Sequence, residues 1–101
     1  MRASVRYARR AIFDLIDIAE YIRKQNPRAA EAVATRIRAS IAQLGIFPFI
    51  GQPTDDADMR LLPIGRYPYI VFYEVIEEEV VVHHIPHGRR KPPSPDEIRS
   101  R

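Results

Sequence analysis

Apolar positions along the chain change period near its middle, and the change separates a helical half from a strand-rich half. Ala8, Ala11, Ile12, Leu15, Ile16, Ile18, Ala19 and Ile22 fall in one arc at helical spacing, with Asp14, Asp17, Glu20 and Lys24 outside it. This predicts an amphipathic helix over 8–25, with Phe13 and Tyr21 off its apolar face. Asn26-Pro27 then restarts the chain, because Asn is a good N-cap and Pro at the first helical position gives up no needed hydrogen bond. Ala30, Val33, Ala34, Ile37, Ile41 and Leu44 form the stripe of a second helix, opposite Arg28, Glu31, Arg36, Arg38 and Gln43. Gly45 and Pro48 stop it near Leu44, and the short joint predicts an antiparallel helical hairpin. Ala32, Ala39 and Ala42 on its back suit either close approach of another helix or helix propensity alone.

Beyond an irregular connection from Ile46 to Asp58, the residues become β-branched and aromatic. Arg60–Ile64, Tyr69–Ile76 and Val80–Ile85 read as three antiparallel strands, with Glu77-Glu78-Glu79 at a hairpin tip. Ser4–Tyr7 adds a strand at one edge. The middle strand is apolar on both faces, Tyr69, Val71, Tyr73 and Val75 on one and Ile70, Phe72 and Ile76 with Glu74 on the other. A helical hairpin covers one face, so the second calls for the long loop, the tail, a second copy or another protein.

Composition narrows the classes. A chain of 101 residues, 46% hydrophobic and 29% charged, suits one small soluble domain. With no cysteine there is no disulfide framework, thiolate zinc site or cysteine nucleophile, and the expected compartment is the reducing cytoplasm. No apolar run approaches the roughly 20 residues of a membrane span, and no secretory signal is expected. The net charge of +3 hides a split: nine basic and four acidic residues in 1–50, against seven and nine in 51–101. Fourteen of the sixteen cations are Arg, which favours bidentate recognition of carboxylate or phosphate.

Candidate chemistry is sparse. His83 and His84 are strand neighbours pointing to opposite faces, and His87 lies beyond Pro86, so the three do not make a metal set and no metal or other cofactor is expected. No phosphate-binding glycine loop, nucleophile elbow or helical zinc motif occurs. His87-Gly88-Arg89-Arg90-Lys91 is the one dense functional candidate, joined by Arg60 and Arg66 if the strands bring their ends together. A Pro-rich segment follows, so the expected division is one domain over 1–91 and a flexible tail over 92–101.

Several landmarks recur in one order: Ala11, Asp14-Leu15, Ile18 and Tyr21-Ile22; Leu44, Phe47-Pro48 and Gly51; Arg60 and Leu62; Tyr67-Pro68-Tyr69-Ile70-Val71-Phe72-Tyr73; and His87-Gly88-Arg89-Arg90. From Val5 to about Lys91 the chain thereby resembles the RelE/ParE superfamily of type II toxin-antitoxin toxins, and its His-Gly-Arg-Arg ending resembles the ParE-like branch, often described as plasmid-stabilisation proteins. The resemblance implies an α+β fold of order β-α-α-β-β-β, a helical hairpin packed on a small, mainly antiparallel sheet. It implies a toxin that inhibits DNA gyrase by protein binding rather than as an enzyme, with His87, Arg89, Arg90 and Lys91 facing the target.

The alternative within the superfamily is a RelE-like, metal-independent endoribonuclease acting on mRNA at the ribosome. It would use Arg60, His87, Arg89 and Arg90, with Tyr73 in place of the late tyrosine this chain lacks. A nontoxic relative that only binds antitoxin is the third reading. The expected partner in each case is a cognate antitoxin in a hetero-oligomer, anchored on Phe13, Tyr21 and Phe72, with operator DNA touched only through the antitoxin.

Overall fold

The computed structural model describes residues 2–56 and 58–87, in which two helices pack on one face of a five-stranded sheet. The elements are β1 (Ser4–Tyr7), α1 (Arg9–Gln25), α2 (Pro27–Gln43), β2 (Gln52–Pro53), β3 (Met59–Pro63), β4 (Ile70–Ile76) and β5 (Glu79–His84). Residues 88–101, which include the expected tail over 92–101, lie outside the described residues.

One residue makes the helical joint. The Asn26 N–H donates to Ile22 O at 2.7 Å and closes α1, while its side-chain carbonyl accepts from Ala29 N at 3.2 Å and opens α2. Arg23 and Lys24 sit in the last turn of α1, where cations complement the helix dipole.

The sheet order is β1-β5-β4-β3-β2. β3, β4 and β5 are antiparallel as the alternation predicts, and β1 adds to the β5 edge in parallel. β2, two residues long, extends the other edge by pairing antiparallel with β3, and its Pro53 stands at an edge, where a missing N–H is tolerated. That strand is absent from the sequence pattern because two residues carry no period. The hairpin tip is shorter than expected: Glu79 already belongs to β5, and Glu77 takes a positive φ of 56°.

The core lies between the hairpin and the sheet. Ile37, Ile41, Leu44, Val71, Tyr73, Val80 and Val82 are fully buried there. Burying an aliphatic side chain of this size contributes about 1.5–3 kcal/mol. The stripe of α2 matches the expected one, but the arc of α1 is narrower. Ala11 and Ile18 are buried with Leu15 and Ile22 partly so, whereas Ile12 and Ile16 remain 47% and 48% exposed. The buried line follows one three-four spacing, and residues one position off it rotate away from the sheet.

The outer face of the sheet is buried in part. Phe72 and Met59 are buried in a small second cluster with Leu61 and Ile70 against them, Leu61 being the cross-strand partner of Phe72. Apolar exposure is concentrated instead on α1 and on the connection after α2. Among the described residues no helix is long and apolar enough to cross a membrane.

Candidate functional site

The segment after α2 carries the largest aromatic display. Ile46, Phe47, Phe49 and Ile50 are each more than half exposed, although the segment has no ladder of its own before β2. Two strand residues hold it. Arg60 on β3 donates from Nη1 to Gly51 O at 2.7 Å and Phe49 O at 3.1 Å, and its guanidinium lies 5.1 Å from the Phe49 ring centroid. Tyr73 on β4, the cross-strand neighbour of Arg60, accepts at its hydroxyl from Gly51 N at 2.8 Å. Gly51 is required there, since a Cβ would stand 2.5 Å from the Tyr73 hydroxyl and 2.7 Å from Leu61 O.

Arg60 and Tyr73 are therefore brought together, but as a clamp on the backbone at 49–51. Tyr73 is 0% exposed, and burial raises its pKa above the ordinary 10.0, opposed in part by the Gly51 hydrogen bond and the Arg60 charge.

A second polar network fastens α1 to the end of β5. Asp14 accepts at Oδ2 from His84 Nδ1 at 2.5 Å and from Ile85 N at 2.9 Å. On the other side of the ring, Arg10 Nη2 lies 3.1 Å from His84 Nε2. A guanidinium only donates, so in this arrangement Nε2 accepts from Arg10 and Nδ1 donates to Asp14. Arg10 Nη1 is buried without a hydrogen-bond partner. Sequence reading placed Asp14 on the polar side of the helix; its signal was the spacing of three from Ala11 and four to Ile18, which brings it to the margin of the buried line. On the opposite face His83 Nε2 lies 2.7 Å from Glu74 Oε1. Among the described residues no group of three or more His, Asp or Glu side chains could hold a metal ion.

The remaining candidates divide by position. His87 forms a bridge with Tyr69 and meets its ring edge-on at a centroid distance of 5.3 Å. Arg66 sits in the β3–β4 turn near that end of the sheet, whereas Arg60 lies toward the far end of β3, so the expected grouping of the two is not formed. Arg89, Arg90 and Lys91 lie outside the described residues. Phe13 and Tyr21 are 57% and 61% exposed. Phe72, expected beside them as an anchor, is 2% exposed and packs with Met59, so it does not share their exposed surface.

Residues 5–92 match a family model described as the ParE toxin of type II toxin-antitoxin system, parDE. The chain is 33% identical over 85 residues to Y4kP of Sinorhizobium fredii (strain NBRC 101917 / NGR234), a protein whose name places it among toxins, covering 81% of this chain and 88% of that one. Among solved structures, a chromosomal ParDE TA system from P. aeruginosa superimposes with a TM-score of 0.77 at 21% identity, over 85% of this chain and 96% of the other. The toxin-antitoxin complex RelBE2 from Mycobacterium tuberculosis superimposes at 0.60 with 22% identity, over 86% and 99%. At these identities the two structures speak to the fold.

Proposed function

Because the chain belongs to the ParE toxin family of type II toxin-antitoxin systems, we propose that it acts by binding a protein target, DNA gyrase, and that a cognate antitoxin neutralises it. ParE-like toxins are associated with gyrase inhibition, a task that asks for a binding surface and no catalytic centre. The observation that carries this reading over RNA cleavage is the position of Tyr73. A phenol acting on a phosphodiester must reach it, and this one is fully buried with its hydroxyl engaged by Gly51 N. Arg60, the other strand residue of the nuclease alternative, is engaged by the carbonyls of Phe49 and Gly51.

His87 with Arg89, Arg90 and Lys91 is the target-facing group in this reading. Phe13 and Tyr21, with the exposed Ile12 and Ile16 of the same helix, form the antitoxin-facing surface, since large apolar side chains exposed on a helix suit a partner's amphipathic segment.

The test is supercoiling by purified DNA gyrase with increasing amounts of the refolded chain. Dose-dependent inhibition that added antitoxin reverses is the expected result. Folded protein that leaves supercoiling intact, yet cleaves mRNA on ribosomes, overturns the gyrase reading; folded protein that does neither returns the chain to the antitoxin-binding role alone.

A further inference from the structure

Arg36 and Arg66 come from separate elements and meet at one cavity. Arg36 lies midway along α2 and Arg66 in the turn between β3 and β4; with Tyr67 they line a cavity of about 230 Å³. Both arginines are exposed, Tyr67 is half-buried, and neither guanidinium has a carboxylate partner among the described residues. The carboxylates bonded to cationic or imidazole side chains lie elsewhere: Glu79 pairs with Arg6, Glu74 bonds His83 and Asp14 bonds His84.

The turn holds this arrangement. Gly65 has φ 50°, the left-handed region that glycine enters without steric cost, and the Tyr67 N–H closes the turn on Ile64 O at 2.9 Å. The Arg36 guanidinium lies along the glycine: a Cβ at Gly65 would meet Nη2 at 3.4 Å, Nε at 3.9 Å and Cζ at 4.0 Å. Arg36 is thereby laid beside the segment that carries Arg66 and Tyr67.

We propose that this cavity is a binding site for a phosphoryl group. Among the described residues its lining side chains are two guanidinium forks and a phenol, a set rich in donors. One fork satisfies a planar carboxylate, whereas two forks from different elements match the several acceptor oxygens and double charge of a terminal phosphate. The cavity is smaller than the ~300–1,000 Å³ of sites that enclose whole small molecules, so it takes the phosphoryl group and leaves the remainder of its carrier outside. The site is independent of the gyrase reading and uses none of its residues.

The experiment is a titration of the full chain, followed by calorimetry and by 31P NMR, with inorganic phosphate in one arm and adenosine monophosphate in the other, in about 0.15 M NaCl to screen diffuse attraction. Saturable binding at one site is expected, weakened about tenfold or more by either Arg36→Gln or Arg66→Gln, as loss of a charge-assisted hydrogen bond requires. Arg28→Gln, at the exposed start of α2, is expected to bind as the parent does. Equal affinity in the two arms assigns recognition to the phosphoryl group alone, and tighter binding of the monophosphate assigns the carrier to the nucleotides. Absence of saturable binding overturns the proposal, as does binding that Arg28→Gln weakens equally or that neither Arg36→Gln nor Arg66→Gln changes. Unaltered far-UV circular dichroism melts of the exposed-arginine variants separate loss of binding from loss of fold.

Discussion

The two places where this chain shows large apolar side chains to solvent are held by different physics. On α1, Ile12, Phe13 and Ile16 stand on a helix whose backbone is satisfied internally and whose inner line is anchored by Ala11, Ile18 and the Asp14–His84 bond. In the segment 46–50, Ile46, Phe47, Phe49 and Ile50 are as exposed, but no regular element supports them. Turn bonds from Ile46 and Phe47 N to Gln43 O and from Ile50 N to Phe47 O shape the segment, and three hydrogen bonds from or to Arg60 and Tyr73 fix its end at 49–51, with Gly51 leaving room for the contact. A helical display is redundant, because many backbone bonds define it; a display fixed at its end by three bonds is more sensitive to the loss of one. The residues that chemistry alone nominated for catalysis, Arg60 and Tyr73, are the clamp.

The comparison breaks most visibly at Gly51. Gly51→Ala forces a methyl group against the Tyr73 hydroxyl and the backbone at Leu61, and is expected to lower stability by about 3 kcal/mol in urea unfolding. An unchanged midpoint would show that the segment is held by something other than this close approach. On the helical side the counterpart is Asp14→Ala, which leaves Ile85 N–H and His84 Nδ1–H without their acceptor. A loss of about 2 kcal/mol is expected, with faster exchange of the Ile85 amide and no change at Gly51.

Tyr73→Phe sharpens the contrast by removing one atom. The Gly51 N–H loses its partner in a buried place, for an expected cost of about 1.5 kcal/mol, and its amide exchange accelerates while exchange in α1 stays as before. The same variant carries a pH signature. Burial raises the Tyr73 pKa above 10.0, so the folded state holds its proton more tightly than the unfolded chain. The stability this contributes is complete below pH 10 and is lost as pH rises through the higher folded value. Alkaline destabilisation above pH 10 is therefore expected to be shallower in Tyr73→Phe, with Tyr7, also raised by burial, retaining part of the slope. Parallel pH profiles would refute the assignment.

The smallest effect on stability is expected on the helix surface. Replacing Ile12, Phe13 and Ile16 singly by Ser is expected to move the unfolding free energy by no more than about 0.5 kcal/mol each, while weakening capture by the cognate antitoxin. Full antitoxin affinity in the triple variant would remove this face from the binding surface.

Much of the fold was legible because it rests on local periodicity. The stripe of α2, the cap at Asn26 and the three long strands all repeat over enough residues to average out exceptions. The site was less legible. Asp14 reads as a surface acid until β5 brings His84 and the Ile85 amide to it, 70 and 71 positions later in the chain. Phe72 reads as an exposed anchor until β3 brings Met59 and Leu61 beside it on the same face of the sheet. Arg66 joins Arg60 and the His87–Lys91 cluster only if the strands bring their ends together, and the turn at Gly65 sets it on a cavity shared with Arg36 instead.

By itself, the sequence determined the helical hairpin, the strand order along the chain, the cysteine-free chemistry and the family resemblance. These depend on neighbours three, four or two positions apart, or on motifs read in order. Tertiary structure alone decided which polar residues are structural and which apolar ones are exposed. Those outcomes depend on contacts between distant positions, such as Gly51 with Tyr73 or Asp14 with His84, and a hydrogen bond formed only when a sheet brings two such groups together leaves no periodic trace in either segment.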